Sequence, residues 1–126
     1  VTGVQTCALP IYEKPTGWLT AVDADTGKVR WQYRSDSAML SGITPTAGGV
    51  TFAGDNAGNF LIFDSDTGNV LHKAPTGGAI GGGVVTYLRN ARQFVAVASG
   101  NTTYPSPGVT GPPAIVIYAL SAGQPK

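Results

Sequence analysis

Gly17-Trp-Leu-Thr-Ala-Val-Asp-Ala-Asp-Thr-Gly-Lys-Val-Arg-Trp31 is answered 41 residues later by Gly58-Asn-Phe-Leu-Ile-Phe-Asp-Ser-Asp-Thr-Gly-Asn-Val-Leu-His72. Gly17, Asp23, Asp25, Thr26, Gly27 and Val29 fall on Gly58, Asp64, Asp66, Thr67, Gly68 and Val70 at that one offset. Each copy reads as a β-hairpin. Trp18, Thr20 and Val22 alternate with Leu19, Ala21 and Asp23 to give a short strand, and Val29, Trp31 and Tyr33 continue on the same period of two. Between them, Asp-x-Asp-Thr-Gly reads as a turn: Gly27 tolerates positive φ, and the Asp side chains can accept from nearby backbone N–H groups. The acidic residues Asp23, Asp25, Asp64 and Asp66 are therefore read as turn chemistry rather than as metal ligands.

Self-similarity at a period of about 40–50 residues with strand-like content is the mark of propeller blades. Working outward, residues 42–46, 50–54, 59–64 and 69–74 read as four strands, so 42–74 is expected to be one full blade. Residues 12–34 supply half a blade. Residues 83–87 and 93–98 read as two strands around the loop 88–92. After a Gly/Pro-rich excursion over 100–113, residues 114–120 read as a third. Residues 80–120 are thus expected to be a last blade lacking one strand, with 121–126 as a tail. The fold class is all-β: a partial propeller holding the last two to three blades, each a four-stranded antiparallel sheet. A piece of this kind leaves open edges and is expected to be poorly stable alone.

Composition agrees with this reading and excludes others. The 126 residues carry 8 Lys+Arg against 7 Asp+Glu, which gives no electrostatic case for nucleic acid or an acidic membrane surface. Gly is frequent at 18 residues, but 42% of residues are apolar, so the glycines read as punctuation between strands rather than as disorder. No apolar run approaches the roughly 20 residues of a membrane-spanning helix. Residues 1–11, VTGVQTCALPI, share nothing with the rest. They resemble, residue for residue, the conceptual translation of a common sequencing adapter, and are expected to be an artefact. The coding sequence is then expected to begin near Tyr12, in the middle of a gene, and Cys7 needs no function.

Ala21-x-Asp23-x-x-x-Gly27-x-x-x-Trp31 resembles the tryptophan-docking motif of the quinoprotein alcohol dehydrogenases, which depend on pyrroloquinoline quinone (PQQ). In that family the Trp of one blade stacks on the Gly peptide of its neighbour, a use of a large flat ring that suits a bare backbone. The second copy keeps Ile62, Asp64 and Gly68 but has His72 where Trp would stand, and a packing role is expected for that histidine. Ser41 to Asp55 and Gly82 to Gly100 are similar to the last two blades of the same family.

The resemblance implies PQQ near the propeller axis, a Ca²⁺ or lanthanide ion beside it, an Asp general base and hydride transfer from an alcohol. The residues that carry those roles lie in earlier blades, so no catalytic residue and no metal ligand is expected in this chain. Cofactor contact is expected only at Leu40, Ser41 and Gly42, where the methanol dehydrogenases have a Trp before Gly-Gly. Leu40 keeps an apolar wall there and loses the indole donor. Tyr104, in Asn101-Thr-Thr-Tyr-Pro105, falls where the family roofs the substrate pocket, and is the candidate substrate contact. Implied partners are the missing N-terminal blades, a small alcohol and a cytochrome acceptor. The implied location is the periplasm. The alternative is a cofactor-free propeller of the same type that acts as a binding or assembly scaffold.

Overall fold

The computed structural model describes residues 15–100 and 111–119, and all nine regular elements among them are β-strands. They are β1 (Gly17–Val22), β2 (Val29–Ser35), β3 (Thr44–Pro45), β4 (Val50–Gly54), β5 (Asn59–Asp64), β6 (Val70–Pro75), β7 (Val84–Arg89), β8 (Arg92–Ser99) and β9 (Ala114–Ala119). They form three antiparallel sheets in chain order: β1-β2, β3-β4-β5-β6 and β7-β8-β9. Every pairing joins strands adjacent in sequence. The adapter-like residues 1–11, Tyr104 and Leu120 lie outside the described residues.

The two copies of the repeat are the same object. Ala21 pairs with Trp31 and Ile62 with His72, and each hairpin shifts register just past that pair. The cause lies in the turn. In both copies the Asp backbone carbonyl accepts the Gly N–H, at 2.8 Å for Asp23 and Gly27 and 2.9 Å for Asp64 and Gly68. The two glycines sit at φ 69° and 75°, where L side chains are strained.

The central sheet is sandwiched, and its sequence shows why. Phe60-Leu-Ile-Phe63 is a continuous apolar run, as a strand covered on both faces requires. Leu61 and Phe63 turn to one side with Ala53 and meet Leu19, Trp31, Tyr33 and Met39 of the first sheet and its exit. Phe60 and Ile62 turn to the other with Phe52, and meet Ile80, Val84, Val95, Val97 and Tyr118. Aromatic pairs fill both seams: Tyr33 stands edge-on to Phe63 with centroids 4.9 Å apart, and Phe60 stacks on Tyr118 at 4.8 Å. The far face of the third sheet has no such cover among the described residues. Val85, Tyr87, Ile115 and Ile117 are exposed there.

Two stretches differ from the sequence expectation. The residues 88–92 are not a five-residue loop. β7 and β8 run on to Arg89 and Arg92 and turn tightly through Asn90 and Ala91, at φ 51° and 58°. Two successive positive φ values make a turn whose twist matches the strands, and an alanine in that position gives no sequence signal. The first strand of the central sheet is also shorter than 42–46, because only Thr44 and Pro45 pair with β4.

Candidate functional site

Strand alternation sorts the connections into two ends. The Asp-x-Asp-Thr-Gly turns, residues 46–49 and the Asn90-Ala91 turn lie at one end. Residues 36–43, the turn 55–58, residues 76–83 and the departure of the chain after Ser99 lie at the other. Leu40, Ser41 and Gly42 sit on the second end, in the connection from β2 to β3.

That connection is tied down residue by residue. Ala38 accepts the backbone N–H of Asn56 at 2.8 Å, and Met39 packs into the core between the first two sheets. The Ser41 hydroxyl accepts the N–H of Gly54 at 2.7 Å and donates to the Gly42 carbonyl at 3.1 Å. Gly42 donates its N–H to the Gly82 carbonyl at 3.0 Å, joining the second and third sheets. Of the three candidate cofactor contacts, then, Ser41 and Gly42 spend these polar groups inside the protein. Leu40 projects, with half of its surface exposed.

Beside it lies a buried polar cluster that the sequence did not announce. Asp55 is 3% exposed. Its carboxylate accepts from the backbone and side-chain nitrogens of Asn59 at 2.8–3.0 Å, and from the Ser35 hydroxyl at 3.4 Å. The Asp55 carbonyl accepts from the N–H of Ile80 at 3.0 Å, so one residue ties the first two sheets to the connection that leads into the third. The neighbouring Asn56 is fully buried, and neither Oδ1 nor Nδ2 of its side chain has a partner among the described residues. Asp-Asn-Ala-Gly-Asn reads as a solvent turn, so its burial had no local signature.

Backbones close up around glycine at the same end. A Cβ on Gly58 would stand 2.8 Å from the Gly78 carbonyl oxygen, and one on Gly78 the same distance from Gly100 Cα. Gly111 crowds the Gly77 carbonyl in the same way. Thr76 and Ser99 lace this junction: the Ser99 hydroxyl lies 2.9 Å from Thr76 Oγ1 and 3.0 Å from the Gly78 carbonyl.

At the opposite end Asp23 and Asp64 act within their own turns, while the Asp66 carboxylate lies 3.7 Å from the guanidinium of Arg30 in β2. The hydroxyl and then the N–H of Thr26 hold the Asp23 carboxyl below its ordinary range, and the N–H and hydroxyl of Thr67 do the same for Asp64. The indole of Trp31 lies flat against Gly68, and its Nε1–H donates to the Ser65 carbonyl at 2.9 Å. His72, in the equivalent place one sheet on, is exposed. Burial pushes the Tyr33 phenol up, with Asp55 and Asp36 adding to the effect. Among the described residues no three His, Cys, Asp or Glu side chains group as metal ligands, and no helix is long and apolar enough to cross a membrane.

A family model described as outer membrane protein assembly factor BamB matches residues 15–110. The quinoprotein alcohol dehydrogenase PedE of Pseudomonas putida is 32% identical over 90 residues, covering 71% of this chain and 14% of that protein. The crystal structure of a quinohemoprotein alcohol dehydrogenase from Comamonas testosteroni superposes on 94% of this chain and 19% of its own, with a TM-score of 0.75 at 30% identity. A europium-containing methanol dehydrogenase superposes on 66% of this chain and 15% of its own, with a TM-score of 0.63 at 37% identity. The chain thus spans about a seventh of the length of the Pseudomonas putida relative.

Proposed function

Since the chain belongs to the quinoprotein β-propeller family, we propose that it is the C-terminal part of a PQQ-dependent oxidoreductase acting on an alcohol. The observation that carries the reading is its likeness, over most of its described length, to proteins named as quinoprotein and quinohemoprotein dehydrogenases. In this reading residues 12–34, 42–74 and 80–120 are half a blade, a whole blade and a last blade lacking one strand. The missing N-terminal blades of the same protein complete the ring. The seam of Trp31 on Gly68 is the docking contact between neighbouring blades, with Ala21, Asp23, Gly27 and Asp64 shaping the two hairpins.

The residues present suit the cofactor in one respect. Leu40, held half-exposed at the end that carries residues 36–43, 55–58 and 76–83, offers an apolar wall to a flat ring system. When bound, PQQ would accept the hydride of the alcohol, with a Ca²⁺ or lanthanide ion beside it supplied with ligands by the earlier blades. This chain's part is to exclude water on one side and hold the wall in place. Tyr104 is proposed as the substrate contact, a cytochrome as the electron acceptor and the periplasm as the location. The 126-residue chain alone is expected to be inactive.

A second reading, a cofactor-free assembly scaffold, draws on the description of the matching family model and on the internal use of Ser41 and Gly42. Sequencing upstream of the Tyr12 codon, then assaying the full-length product for PQQ- and metal-dependent dye reduction with ethanol, separates the two. Earlier blades that carry Glu, Asn and Asp in place, with turnover, support the dehydrogenase. Blades without them, and no turnover at any metal, sink it.

A further inference from the structure

In the connection between β2 and β3 one projecting residue is flanked by anchored ones. Met39 is packed, Leu40 projects, Ser41 is hydrogen-bonded, and Gly42 is tied to the third sheet. We infer that Ser41 is a positioning residue for Leu40, holding that side chain at the cofactor wall. The inference rests on the functional reading above.

The anchor is the N–H of Gly54, the last residue of β4, which reaches Ser41 Oγ at 2.7 Å. Gly54 is buried, so without that oxygen its donor loses a partner that water cannot readily replace. The end of β4 cannot slide to find another. Ile80 presses on it so closely that a Cβ at Gly54 would lie 2.5 Å from Cγ2 of Ile80. The fixed partner therefore sets the place of Ser41, and the hydroxyl's second bond, to the Gly42 carbonyl at 3.1 Å, sets the local backbone direction. Leu40 makes none of these bonds itself. Its position follows from the residues on either side of it.

The test has two stages. In the 126-residue chain, Ser41→Ala is expected to speed amide exchange at Gly54 severalfold while Ala53 and Phe52 keep their rates, and Ser41→Thr is expected to restore it. Unchanged exchange at Gly54 overturns the anchor. In the full-length protein, PQQ with Ca²⁺ is titrated against the parent, Ser41→Ala and Ser41→Thr, and bound cofactor is read from its absorbance. The expected result is a Kd raised roughly two- to tenfold by Ser41→Ala and recovered by Ser41→Thr, as fits the loss and return of one hydrogen bond. A parent that binds PQQ with Ser41→Ala binding equally well overturns this inference alone. A parent that binds no PQQ overturns the functional reading, and the inference with it.

Discussion

The six-membered ring of Trp31 occupies the space that a side chain on Gly68 would need. A Cβ there would stand 2.5 Å from Cδ2 and 2.7 Å from Cε3 of the indole. The two residues belong to different sheets, so the seam between those sheets depends on Gly68 having no side chain.

Gly68→Ala and Gly27→Ala should therefore differ, although both glycines have φ near 70°. Gly27 has nothing within 4 Å of its missing Cβ, so its alanine meets only the backbone strain, about 1–2 kcal/mol. Gly68→Ala adds the displacement of Trp31 and should cost at least about 1 kcal/mol more. Urea unfolding of the two variants beside the parent checks this, and equal midpoints would mean the seam is not tight.

The turn carboxylates predict a pH dependence with a definite sign. Thr67 lowers the folded pKa of Asp64 below its ordinary 3.8. A depressed carboxylate pKa gives stability that is full above the unfolded value and is lost as pH falls through the folded one. Removing the hydroxyl with Thr67→Val should leave a shallower loss of stability below about pH 4. Thermal midpoints followed from neutral pH to about pH 2.5 would show it. A variant whose acid limb overlays that of the parent contradicts the assignment.

Ala91 sits at φ 58° with no glycine to relieve it. Ala91→Gly turns Asn90-Ala91 into the pair this turn favours and should stabilise the hairpin by about 0.5–1 kcal/mol. Differential scanning calorimetry would register a higher midpoint, and a lower one would place the strain elsewhere.

Asn56 makes the opposite kind of forecast to most buried polar residues. Its carboxamide has no partner among the described residues, so Asn56→Leu should be neutral or stabilising by up to about 1 kcal/mol. Asn59→Ala takes a donor from the buried Asp55 and should cost about 1.5–3 kcal/mol. A large loss from Asn56→Leu in chemical denaturation would reveal a partner for that amide in solution.

The repeat made the hairpins legible, because period is written directly in residue type, whereas the double cover of the central sheet rests on contacts between residues distant in sequence. Trp31 stands between the first two sheets, against Gly68. His72 shares the register of Trp31 and stands exposed. The Ser41–Gly54 bond and the Asp55 cluster were hidden as well. Both join residues that are distant in sequence or lie in polar turns, and local pattern does not say which turns become covered. The tight turn at Asn90 was missed because alanine rarely accepts positive φ, so nothing marked it.

The glycines that meet at the far end of the sheets have a consequence for how such a sequence can change over time. At Gly58, Gly78, Gly100 and Gly111 one backbone rests on another without a side chain between them. A single nucleotide change that adds even a methyl group at one of them must move a neighbouring segment, and no compensating change at the partner can help where the partner is itself glycine. Gly27 and Gly49, in exposed turns at the other end, have open space where a methyl group would go, so the same change there meets backbone strain alone.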